Sequence, residues 1–150
     1  AGRAGAPVHD LHFQGLFFAH TEWQPPPDYA SSLQAGIEVA GALGFDYAER
    51  CSVTDGGIEH IGNYGIEAGV GCADIEIARN RTTDIGAGGI GIGHLFWWET
   101  DGSGRLTDRG SARKAAMPTG PHSRRITVAD KEIGHVGLCV VLGLPGGAWL

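Results

Sequence analysis

The chain has 150 residues, 26 of them glycine, with 42% hydrophobic content and no G-X-Y period, which excludes collagen and a disordered tail. The formal net charge is −6, and the few Lys and Arg, partly clustered at Arg124-Arg125, form no basic stripe, so nucleic acid is not an expected partner. No run of 18 apolar residues exists to span a membrane, and three Cys without a CxxC (Cys51, Cys72, Cys139) read as buried small hydrophobes rather than a disulfide framework or zinc site.

Taken in chain order, residues 1–5 lead straight into Val8-His9-Asp10-Leu11-His12-Phe13, whose alternation is the period-2 mark of a half-buried strand. No signal peptide is visible there. Leu16-Phe17-Phe18 is a second short apolar run. An insertion is predicted near 22–44, opened by Pro25-Pro26-Pro27, which cannot be regular structure. Within it, 33–43 reads either as a short helix or as a strand pair around Ile37-x-Val39. Ile75-Glu76-Ile77 alternates, and Asn80 marks a turn. Ile90-Gly91-Ile92 is a strand without a side chain on one face, which implies close backbone approach or open space for a ligand. A second insertion, near 95–123, begins with Phe96-Trp97-Trp98-Glu99. After Val136 the pattern weakens. The abrupt, uncapped ends predict an internal piece of a longer solenoid, forming one partial domain over 1–150.

Four segments share one spaced pattern. Leu11-x-Phe13, Cys51-x-Val53, Ile75-x-Ile77 and Ile126-x-Val128 are each followed, nine residues after their first member, by His20, His60, Asp84 and His135. Three continue as Ile61-Gly62, Ile85-Gly86 and Val136-Gly137, with an apolar residue four positions after the Gly. Such self-similarity marks stacked units, each too small to bury its own core. The strands are too short and closely spaced for βαβ units. The reading is all-β: a right-handed parallel β-helix, a solenoid of short three-strand coils. In register, His20, His60, Asp84 and His135 then form a ladder on one side of the stack.

The runs His60-Ile61-Gly62-Asn63-Tyr64-Gly65-Ile66, Gly71-Cys72, Asn80 and Asp84-Ile85-Gly86-Ala87-Gly88-Gly89-Ile90-Gly91-Ile92-Gly93 resemble the central coils of right-handed, pectate-lyase-like β-helix proteins, including the glycoside hydrolase family 141-like group. The resemblance covers most of 8–137. It departs at Lys131, where a corner Asn is expected. It implies a secreted or periplasmic enzyme acting on plant or microbial polysaccharide or oligosaccharide, without an organic cofactor.

Glycoside hydrolysis needs two carboxyl groups flanking the scissile bond. Asp84 is the first candidate, because it stands on the ladder just before a Gly-rich bend. Its structural alternative is a turn cap. Glu67, Glu99 and Asp101 are candidates for the second carboxyl. Strand alternation turns Glu67 outward if Ile66 is core. His60 and His135 are expected to tune Asp84, and His20 and His94 to contact sugar hydroxyls. A ladder of His and Asp also invites a metal, but neighbouring strands about 4.8 Å apart keep its rungs from converging, so no metal is expected. Trp23, Trp97 and Trp98 are expected to stack on sugar faces or to anchor loops, with Tyr64 a weaker candidate of the same kind. A polysaccharide lyase or epimerase would need Arg79, Arg81 and Arg124 in the groove. A non-catalytic glycan-binding or adhesin-like stalk would need none of these groups.

Overall fold

The computed structural model describes residues 1–24, 39–93 and 121–137, with the backbone of 139–143 and 148–149. Every regular element among them is a strand. A first unit holds β1 (Val8–His9), β2 (His12–Gln14), β3 (Phe17–Ala19) and β4 (Gly41–Phe45). A second holds β5 (Ala48–Thr54), β6 (Gly57–Ile61) and β7 (Tyr64–Ala68). The third comprises β8 (Ala73–Ala78), β9 (Arg81–Ile85) and β10 (Gly88–Ile92). The fourth comprises β11 (Arg124–Ala129), β12 (Glu132–Val136) and β13 (Cys139–Gly143), followed by β14 (Ala148–Trp149).

Consecutive strands of a unit do not pair with each other. Each pairs in parallel with its counterpart in the next unit, which gives three sheets: β1/β2-β5-β8-β11-β14, β3-β6-β9-β12 and β4-β7-β10-β13. The fold is thus all-β, with parallel strands in stacked sheets, an arrangement compatible with a parallel β-helix. The predicted register holds where it can be compared. Phe13 pairs with Val53, Cys51 with Ile75, and Ile75 with Ile126.

The core follows from that register. Cys51, Ile75 and Ile126 form one apolar column, Val53, Ile77 and Val128 another, and Ile61, Ile85 and Val136 a third. All but the partly buried Val136 are almost fully removed from water. At roughly 1.5–3 kcal/mol per buried aliphatic side chain, these columns are the main favourable term of the stack. Phe13 closes one end against the edge of Phe45, ring centroids 6.3 Å apart. Cys51 and Cys72 are buried free thiols, and burial pushes the Cys72 thiol up to about 11.

Two boundaries differ from the sequence expectation. Leu43 pairs with Ile66, so β4 lies inside the span predicted as the first insertion, and the extra chain falls between Ala19 and Gly41. Three small or weakly apolar residues (Gly41, Ala42, Gly44) hide this strand from a periodicity test. The pattern also continues past Val136: Ile90 pairs with Val141, and Ile126 with Ala148. Residues 25–38 and 94–120 lie outside the described residues, and with them the helix-or-strand alternative at 33–38.

Candidate functional site

The unusual feature of this stack is its backbone. Among the described residues, twelve that are not glycine have positive φ, and eleven of them fall into three register-aligned columns. The columns are Asp10, Arg50, Asp74 and Arg125; then Asp55, Arg79 and Asp130, extended by Gly15; then His20, His60, Asp84 and His135. The left-handed region costs an L-residue roughly 1–2 kcal/mol. Asp and His tolerate it better than most residues. Within every unit the three positions lie five residues apart; Asp55, Arg79 and Asp130 stand between strands, while the Arg50, Asp74 and Arg125 positions and the His60, Asp84 and His135 positions lie inside strands.

Stacking then brings like positions together at the spacing of neighbouring strands, about 4.8 Å. In the first column the Arg50 guanidinium donates to both oxygens of Asp10 at 2.8 and 3.0 Å, and Arg125 donates to Asp74 at 2.5 and 2.6 Å. In the second, Arg79 donates to Asp55 at 2.6 and 3.2 Å. The Arg50 bond, helped by His9, holds the Asp10 carboxyl down at about 2, and the Arg79 bond, helped by Gln14, does the same for Asp55. The Asp74 carboxyl is lowered by Arg125.

The third column is the ladder predicted from the sequence. His20 N–H donates to the His60 carbonyl, and the two imidazole rings stack with centroids 5.3 Å apart and planes 11° from parallel. His60 Nδ1 lies 2.6 Å from Asp84 Oδ2. His135 is aligned with Asp84 by the pairs Gly134–Thr83 and Val136–Ile85. All four residues are exposed. The side chains of His60 and Asp84 keep 51% and 66% of their accessible surface, so the pair is open to a ligand from solvent. Asp84 thus meets an imidazole of the neighbouring unit.

The glycines that follow the ladder have a packing reason. A Cβ on Gly86 would stand 2.7 Å from the Gly62 carbonyl oxygen, and one on Gly62 would stand 2.8 Å from Trp23 N. The repeated Ile-Gly, Ile-Gly, Val-Gly of the sequence is therefore close backbone approach between units, not space for a sugar.

The remaining candidates separate. Glu67 belongs to a different sheet from Asp84, half-buried, with Oε2 accepting from Gly41 N–H at 2.9 Å. Tyr64 is buried in a small cluster with Val39 and Ala87, against which the partly buried Trp23 packs. The cluster matches the loop-anchoring alternative for Trp23. Arg79 is engaged with Asp55, Arg81 approaches Glu132 at 3.4 Å, and Arg124 is exposed. Glu99, Asp101, Trp97, Trp98 and His94 lie outside the described residues. Among the described ones, no group of three or more His, Cys, Asp or Glu is disposed to hold a metal ion, and no helix is long and apolar enough to cross a membrane.

The two Arg–Asp columns were missed by the sequence reading, although the same offsets that locate the ladder also locate them. Charged residues at strand bends carry no hydrophobic period, so only the repeat reveals them. Comparison with protein-family models, with curated proteins and with solved structures gives no match for this chain.

Proposed function

We propose that this chain is part of a right-handed parallel β-helix of the pectate-lyase-like kind and that it acts on plant or microbial polysaccharide outside the cytoplasm, extracellularly or in the periplasm, as a glycoside hydrolase. The supporting observation is the exposed His60–Asp84 pair, 2.6 Å apart, on a wall of stacked units. A carboxylate and an imidazole in contact can hold and move a proton. With Glu67 on another sheet, the second carboxyl group would come from Glu99 or Asp101. No organic cofactor enters the scheme.

A second reading is a non-catalytic glycan-binding stalk. It is favoured by the Arg–Asp columns, which occupy the same backbone slots as the ladder and act as surface ion pairs. Release of reducing ends from soluble xylan and from polygalacturonate separates the two, with binding to the same polymers followed in parallel. For the hydrolase, Asp84→Asn removes turnover by about 100-fold or more and leaves binding within about twofold. A stalk binds without releasing ends, and Asp84→Asn changes nothing. An ultraviolet-absorbing unsaturated product would instead identify a lyase.

A further inference from the structure

We propose that the proton-transfer atom of the ladder is Nε2 of His60, and that Asp84 and His20 are positioning residues for that ring. The inference rests on the hydrolase reading for its substrate, but its geometric part stands apart from it.

The three columns present side chains in one backbone slot, so they can be compared directly. In two of them the partner of the aspartate is an arginine, which has donors only and keeps its proton throughout the accessible pH range. Those arginines cannot serve as an acid or a base. In the third column the partner is an imidazole. A contact of 2.6 Å between Nδ1 and a carboxylate oxygen is a hydrogen bond with one proton between the two atoms, and when the ring carries a single proton and the carboxylate none, that proton is on Nδ1. Nε2 then carries the lone pair. A carboxylate that fixes tautomer and orientation while the far nitrogen does the chemistry is a general device of acid–base sites.

The ring is held from a second direction. The His20 imidazole lies against it almost in parallel, which restricts rotation about the Cβ–Cγ bond that would break the Asp84 contact. Both histidines have left-handed backbone, with φ of 62° and 53°. Glu59 precedes His60 on the same strand, Glu22 lies two residues beyond His20 in the chain, and His135 is aligned with Asp84 on the next strand. The His60 ring is bonded to Asp84.

In the reaction, Nε2 takes a proton from water as the water oxygen bonds to the anomeric carbon. The glycosidic C–O bond breaks with its electron pair on the departing oxygen, which receives a proton from a carboxylic acid on the other side of the sugar. His60 ends as imidazolium and the acid as a carboxylate; His60 gives its proton to solvent and the carboxylate takes one back from it.

Two measurements test the assignment. The first is the ring ¹⁵N spectrum of the intact protein at pH 8. Expected is a His60 ring protonated at Nδ1 and bare at Nε2, with that preference lost in Asp84→Ala and weakened in His20→Ala but not in His20→Phe, which keeps the stacked ring. The second is chemical rescue of xylan and polygalacturonate cleavage. His60→Gly suits the left-handed backbone and should lose about 100-fold or more in turnover, with added imidazole restoring at least a tenth of the loss. Wild-type turnover in His60→Asn, which can still donate to Asp84, would overturn the assignment and return the proton transfer to Asp84. A wild-type ring protonated at Nε2 would overturn it equally. If the wild type cleaves neither polymer, the carbohydrate reading fails, and the tautomer alone then upholds or overturns the positioning of His60.

Discussion

A bend in a parallel stack needs residues that accept left-handed backbone, and this chain fills those bends with Asp, His, Arg and one Gly. The choice has an electrostatic consequence. Like charges at the spacing of neighbouring strands repel, so a column is stable when its signs alternate, as Asp10–Arg50 and Asp74–Arg125 do. Surface pairs of this kind contribute little each and are weakened by salt. Their pH signature is nevertheless definite. The folded Asp10 and Asp55 carboxyls sit at about 2, against an ordinary value of 3.8, and Asp74 is lowered as well. Groups depressed on folding add stability that is complete above the ordinary value and vanishes as the pH falls through the folded one. Urea midpoints should therefore be flat above pH 5 and fall between about pH 4 and pH 2. Arg50→Met and Arg79→Met should each flatten that fall, and 0.5 M NaCl should reduce it.

At the scale of the element, the corners set the order of the strands. Asn80 is buried between β8 and β9, its Nδ2 donating to the Val53 carbonyl at 2.7 Å and its Oδ1 accepting from Gly56 N–H at 3.0 Å. It therefore ties its own corner to the equivalent corner of the preceding unit. Asn80→Ala leaves a buried donor and a buried acceptor unpaired, at a cost of about 1–3 kcal/mol for each group left unsatisfied, measurable as a lower urea midpoint with unchanged slope. The glycines after the ladder act through volume instead. Gly86→Ala puts a methyl 2.7 Å from the Gly62 carbonyl, so the units must separate locally, and a loss of about 1–3 kcal/mol is expected in the same assay. Gly134→Ala, one residue before His135, meets nothing within 4 Å and should cost far less. A result with the two glycines reversed would mean that the units approach each other differently.

For the molecule as a whole, the architecture was legible because it is written more than once. One Ile-x-Ile segment cannot distinguish a strand from a piece of buried helix, but Cys51-x-Val53, Ile75-x-Ile77 and Ile126-x-Val128 with a constant offset to a polar residue can. The ladder was legible for the same reason. β4 was not, since Gly41, Ala42 and Gly44 give it no apolar alternation and its identity comes only from pairing with β7. The separation of Glu67 from Asp84 was also hidden. Sequence offsets fix which residues stack, but not which of three walls a strand belongs to. Nor does spacing reveal that Tyr64 is covered, because its neighbours Val39 and Trp23 come from the two ends of the first insertion, inside it.

The central claim is that the units are in register along the third column, and cysteine trapping reads that register directly. Residues aligned on neighbouring strands have Cα atoms within the range a disulfide tolerates, about 4.4–6.8 Å. In a background with Cys51, Cys72 and Cys139 replaced by Ala, mild oxidation of Asp84→Cys/His135→Cys should give a bond between residues 51 apart in sequence, found as one cross-linked peptide pair. Asp84→Cys/Gly134→Cys should link far more slowly. Fast linkage of the offset pair, or none in the aligned one, would contradict the ladder and everything argued from it.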